Sequence, residues 1–172
     1  MRGILIGLAL ALVFGPAWAQ TQQQRDWCYS DTATDDQTID GCTALIQSPQ
    51  ESPATKAEAY DNRGYAYKHK GLYDQAIADE TQSLALNPNS AIAYNTRGLA
   101  YSHKGLYDLA IADYNRSIAL KPDYAHAYYS RATAFEMKGL RDPAIADYRA
   151  SLKINPSLQD VKDGLTRLGV TP

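Results

Sequence analysis

AYDNRGYAYKHKGLYDQAIADETQSLALNPN, residues 59–89, returns as AYNTRGLAYSHKGLYDLAIADYNRSIALKPD over 93–123 and as AYYSRATAFEMKGLRDPAIADYRASLKINPS over 127–157. Ala59, Ala93 and Ala127 stand 34 residues apart, and Gly71, Gly105 and Gly139 keep the same interval, as do Pro88, Pro122 and Pro156. No copy carries an insertion. A strict period of this length belongs to units that cannot bury their apolar faces alone, so the chain is read as a stack of repeats with neighbours covering one another.

Within each period the punctuation defines two helices. Gly71 can adopt the left-handed conformation that ends a helix, and Asp74 three residues on is read as a cap for the next one. Leu-Asn-Pro-Asn, Leu-Lys-Pro-Asp and Ile-Asn-Pro-Ser supply the second break, since proline cannot continue a helix. Small residues such as Gly64, Gly98, Ala76 and Ala110 let the two helices approach, and Tyr60, Tyr67, Tyr73 and their equivalents fill the space between pairs.

This pattern resembles the tetratricopeptide repeat family. Counting from Ala57, Ala91 and Ala125, position 4 is Tyr60, Tyr94 and Tyr128; position 8 is Gly64, Gly98 and Ala132; position 11 is Tyr67, Tyr101 and Phe135. Position 20 is always Ala, position 24 is Glu80, Tyr114 and Tyr148, and position 32 is always Pro. Arg63, Arg97 and Arg131 replace the family's usual leucine at position 7, Glu80 replaces an aromatic and Ala132 a glycine. The resemblance implies an all-α, right-handed α-solenoid with repeats at 57–90, 91–124 and 125–158.

The flanks read differently. Met1-Arg2, the apolar run Ile4–Phe14 and Ala17-Trp18-Ala19 have the order of a secretory signal peptide, 1–19, with cleavage expected after Ala19. That run is shorter than the roughly 20 residues needed to cross a bilayer, so stable membrane insertion is not expected after cleavage. A periplasmic or secreted protein is therefore expected. An oxidising compartment favours pairing of Cys28 with Cys42, the two cysteines of the chain. The loop they close has about 15 residues, worth about 3 kcal/mol in the chain-entropy picture. They sit in a degenerate helical cap and linker, 20–56, where Asp36-Gln37-Thr38-Ile39-Asp40 parallels Asp74-Gln75-Ala76-Ile77-Ala78. There Cys28 is expected on a short first helix around Arg25–Ser30. At the other end, 159–172 is read as a capping helix, with Leu158, Val161, Leu165 and Leu168 on one face. Eight or nine helices follow in all.

Net charge is −2, or −3 without Arg2, and no basic stripe marks a nucleic-acid partner. No nucleophile with its base, phosphate-cradling loop or flanked carboxylate pair is present, so neither an enzyme nor a cofactor is expected. His69 and His103 share a repeat position on adjacent first helices, whose spacing of about 10 Å is too wide for a shared zinc ion. No metal site is expected.

Function is therefore expected at a surface. In the family, first helices line a concave groove that holds a partner's peptide or helix. Carried over by position, the groove holds Glu58, Asp61, Tyr65, Lys68 and His69, then Ile92, Asn95, Leu99, Ser102 and His103, then His126, Tyr129, Thr133, Glu136 and Met137. The Lys and Asn residues of the family's carboxylate clamp are replaced here by Asp61, Tyr65, Thr96, His126 and Ser130. The expected partner is a protein of the cell envelope, bound at a floor centred on Tyr65, Leu99 and Tyr129. Charged side chains such as Asp79, Asp113 and Asp147 are expected to interrupt the convex face. Two alternatives are a module that homo-oligomerises end to end and a glycan-binding accessory subunit. At position 24, Glu80 is expected to be buried and paired with Arg63 or Arg97.

Overall fold

The structure is a computed structural model describing residues 17–172, with side chains from residue 21. Residues 1–16 of the expected export segment lie outside the described residues. Among the described residues there are nine helices and no strand: α1 (Ala17–Tyr29), α2 (Asp35–Gln47), α3 (Pro53–His69), α4 (Tyr73–Leu86), α5 (Ala91–His103), α6 (Tyr107–Leu120), α7 (Ala125–Met137), α8 (Arg141–Ile154) and α9 (Gln159–Arg167). Consecutive helices pack on one another, and α1, α3, α5 and α7 also touch one to the next. The odd-numbered helices thus line one side of an α-solenoid. None of the described helices is long and apolar enough to cross a membrane.

The turns follow from the repeat chemistry. Gly71, Gly105 and Gly139 have φ of 74°, 75° and 73°, a region that carries a Cβ penalty for other residues. Asp74 does not cap α4 as expected. The N-cap is Leu72, without a side-chain bond, and Asp74 lies one residue inside the helix, where its carboxylate complements the first-turn dipole. It accepts from Lys104 of the next repeat, and the same ladder recurs as Lys70–Asp36 and Lys138–Asp108.

A second ladder runs inside the repeats. Arg63 Nε and Nη2 donate to Asp79 Oδ2 and Oδ1 at 2.7 and 2.8 Å, a bidentate pair repeated by Arg97–Asp113 and Arg131–Asp147. Each Arg Nη1 donates to the preceding second helix, at Thr43, Thr81 or Asn115. Each guanidinium also lies 5.6 Å from the centroid of its own repeat's position-4 tyrosine. This ladder corrects two expectations. Asp79, Asp113 and Asp147 are buried partners of these arginines and do not interrupt the convex face. Because Arg63 and Arg97 are thus committed, neither pairs with Glu80.

Caps close both ends of the described stack. The N-terminal first helix is longer than expected, beginning at Ala17, and it carries Cys28 into contact distance of Cys42 on α2, with the two sulfurs 2.07 Å apart. Both cysteines are buried with Leu45 and Ala59. A capping box on Thr34 and Gln37 starts α2, and Ser52 caps α3 ahead of Pro53. At the far end Val161 and Leu165 of α9 bury themselves against Ala144, Ile145 and Tyr148, with Leu158 and Leu168 alongside, covering the last repeat.

Candidate groove on the odd-numbered helices

Position 24 of each repeat fills a slot between helices. In repeat two Tyr114 is fully buried, and Gly98 makes room for it, since a Cβ on Gly98 would stand 2.6 Å from the ring. Its hydroxyl donates to Ser102 Oγ at 3.3 Å. In repeat three Tyr148 is likewise buried, packs 6.1 Å from the Tyr129 ring and donates to Glu136 Oε2 at 2.6 Å. Burial and the Glu136 bond push the Tyr148 phenol up to about 12, while Arg167, bound to the same carboxylate, holds Glu136 low.

Repeat one departs from this scheme. Glu80 occupies the slot with none of its surface exposed, and its Oε1 stands 2.7 Å from where a Cβ on Gly64 would be. Neither Glu80 oxygen, nor the inward Oδ1 of Asp61, receives a donor when both carboxyls are ionised; Asn95 Oδ1, on the next first helix, is buried and unpartnered too. Burial, then the neighbouring Asp61 charge, pushes the Glu80 carboxyl well above its ordinary range. The pair is satisfied when Glu80 carries a proton and donates it to Asp61. Burial also raises Asp61, and the bond from Glu80 opposes that rise.

Among the described residues, the surface along α3, α5 and α7 includes two clefts of different chemistry. The first, about 580 Å³, lies between the N-terminal cap and repeats one and two, and its walls include Tyr29, Asp31, Asp35, Asp61, Tyr65 and Ile92. The second, about 500 Å³, lies between repeats two and three; Leu99, His103, Tyr107, Tyr129 and Met137 line it, with no carboxylate in its wall. The predicted groove residues divide accordingly. Tyr65, His69 and Ile92 face the first cleft, whereas Leu99, His103, Tyr129 and Met137 face the second. Tyr65, Ile92 and Met137, the first two in the first cleft and the last in the second, are 48%, 52% and 60% exposed. Of the three residues on which the expected floor is centred, Tyr65 thus lines the first cleft and Leu99 and Tyr129 line the second.

The remaining candidates are placed as follows. Half-buried Lys68 lies 4.0 Å from the Tyr65 ring centroid, and desolvation lowers its ammonium. His69 faces Asp35 at 3.5 Å, and His103 stacks on Tyr73 with centroids 4.8 Å apart. His126 sits beside Tyr124 and lines neither cleft. Asn95 is buried below the groove surface. Among the described residues no group of three His, Cys, Asp or Glu side chains is arranged to hold a metal ion. Sequence reasoning missed that the cap supplies one wall of the first cleft, because a degenerate repeat carries no positional pattern from which a groove residue can be read.

Sequence profiles described as Tetratricopeptide repeat match residues 57–90, 91–124 and 125–158. A comparison with curated proteins returned no match. Among solved structures, the first such domain of Spaghetti (RPAP3) bound to an HSP90 peptide, SRMEEVD, is 26% identical, with a TM-score of 0.66 over 67% of this chain and 92% of that one. The second such domain of human RPAP3, in complex with the HSP70 peptide SGPTIEEVD, is 25% identical, with a TM-score of 0.65 over 69% of this chain and 98% of that one. A MamA protein is 29% identical, with a TM-score of 0.67 over 81% of this chain and 76% of that one.

Proposed function

The chain belongs to the tetratricopeptide repeat family, and on that premise we propose that it is a non-catalytic adaptor that binds a segment of another protein along its odd-numbered helices. The observation that carries this reading is the pair of clefts on that side, where Tyr65, Ile92 and Met137 stand exposed on a rigid helical support. Exposed aromatic and apolar anchors in concave sites are the residues that dominate binding energy at interfaces. Related domains of RPAP3 hold peptides ending in EEVD. Here the acidic wall of the first cleft opposes an acidic tail, so the ligand differs in chemistry from those peptides. Once a partner is isolated by crosslinking from an envelope extract, Tyr129→Ala should weaken its binding about tenfold or more, against little change for Gln82→Ala on exposed α4 surface. Loss through Gln82 with Tyr129→Ala unaffected would overturn the reading.

We further propose that the protein works after export, in the periplasm or outside the cell, with Cys28 and Cys42 joined to fix α1 against α2. Intact mass of the exported protein should begin at Gln20 and rise by about 2 Da on reduction, the two hydrogens a dithiol regains. A start at Met1 would sink the export proposal, and free thiols in the oxidised material would sink the bond.

A further inference from the structure

We propose that the Asp61–Glu80 corner of the first cleft is a subsite for a positively charged side chain carried by the bound segment, with Asp61 as its docking carboxylate and Glu80 as the residue that positions Asp61. This deepens the groove reading and rests on it. Asp61 lies in the cleft wall, its buried Oδ1 turned to the fully buried Glu80 carboxyl, whose proton is the donor the fold offers it. Asn95, 5% exposed, leaves a further unpartnered oxygen on the adjoining helix. Glu80 and Asn95 line neither cleft, so a ligand meets this corner at Asp61, a carboxylate with no ion pair among the described residues, and a carboxylate held in a wall without a cation is costly.

The surroundings favour a cation over a neutral donor. Asp31 and Asp35 stand in the same wall, and the cations nearby are otherwise engaged. Arg97 is held by Asp113 and His69 faces Asp35, while Lys68 lies over Tyr65, feeling the charges of Glu80 and Asp35 at longer range. Tyr29 lines the same cleft and offers a ring face to the stem or head of a cationic side chain, whereas Tyr65 already carries Lys68 over its ring. Without a ligand, the proton on Glu80 fixes Asp61 through one oxygen. A guanidinium or ammonium arriving from the cleft then meets an oriented, charged partner.

Backbone amide NMR of the mature chain, titrated with acetyl-arginine amide and with its uncharged isostere acetyl-citrulline amide, tests this. Arginine should shift amides around Asp61, Tyr65 and Asn95, citrulline should bind about tenfold more weakly or not at all, and Asp61→Asn should remove the difference. Glu80→Gln, whose amide still donates to Asp61, should bind arginine within about threefold of the parent, while Glu80→Ala, folded by circular dichroism, should lose about tenfold. Equal binding of the two probes, or full retention in Asp61→Asn, would overturn the subsite, and equal behaviour of Glu80→Gln and Glu80→Ala would overturn the positioning role. Acetyl-tyrosine amide serves as the groove control. If it shifts Leu99 and Tyr129 while arginine leaves the first cleft untouched, the subsite fails and the groove stands; if neither probe binds, both readings fail.

Discussion

Glu80 and Tyr114 occupy the same position of adjacent repeats, and the protein treats them in opposite ways. Tyr114 fills its slot against Gly98 and satisfies its hydroxyl on Ser102, so the position contributes packing. Glu80 fills the matching slot against Gly64 with two oxygens that find no donor beyond a proton shared with Asp61. Position 5 changes in step, from Asp61 beside Glu80, through Asn95, to Tyr129, whose ring packs against that of Tyr148. The groove is thereby graded from an acidic end beside the N-terminal cap to an aromatic end beside the C-terminal cap. Stability is served by the second and third slots, and the first has the chemistry of a site.

The most severe way to break this comparison is to empty a packing slot. Tyr114→Ala removes a fully buried ring from between Gly98 and Ala134, and a loss of about 3–5 kcal/mol is expected, read by denaturant unfolding. A loss below about 1 kcal/mol, the size of a surface effect, would mean that the second slot is not a packing position.

Much of this was legible from sequence. The register of Gly71, Gly105 and Gly139 located the hairpins, and the face carrying Val161 and Leu165 located the closing helix, because backbone conformation and apolar periodicity are local. The charge partners were harder to read. Asp79, Asp113 and Asp147 looked like exposed convex residues, since periodicity says which face a residue occupies but does not say which guanidinium reaches it. A signal was present: Arg at position 7 and Asp at position 23 recur together in all three repeats. Assigning those arginines to their aspartates would have left Glu80 without an ion-pair partner, as the structure does. The extra turns of α1 and the wall that the cap lends the first cleft had no such signal, because neither belongs to the repeat.

A smaller change sharpens the comparison by converting the first slot into the second. Glu80→Tyr gives repeat one the residue of repeats two and three, with Gly64 providing the room that Gly98 provides for Tyr114. The sign with pH is fixed by the raised carboxyl. Its neutral form is the one that fits the fold, so its contribution is whole at acid pH, and it declines as pH climbs from the ordinary carboxyl value of 4.5 through the higher native value. The decisive measurement is therefore the difference in unfolding free energy between Glu80→Tyr and the parent chain, followed from pH 4 to pH 9. The account predicts a difference that grows with pH and reaches about 1–3 kcal/mol in favour of tyrosine at the alkaline end, the usual cost of a buried polar group left unsatisfied. A difference that stays constant across the range, or that favours glutamate at high pH, would contradict it.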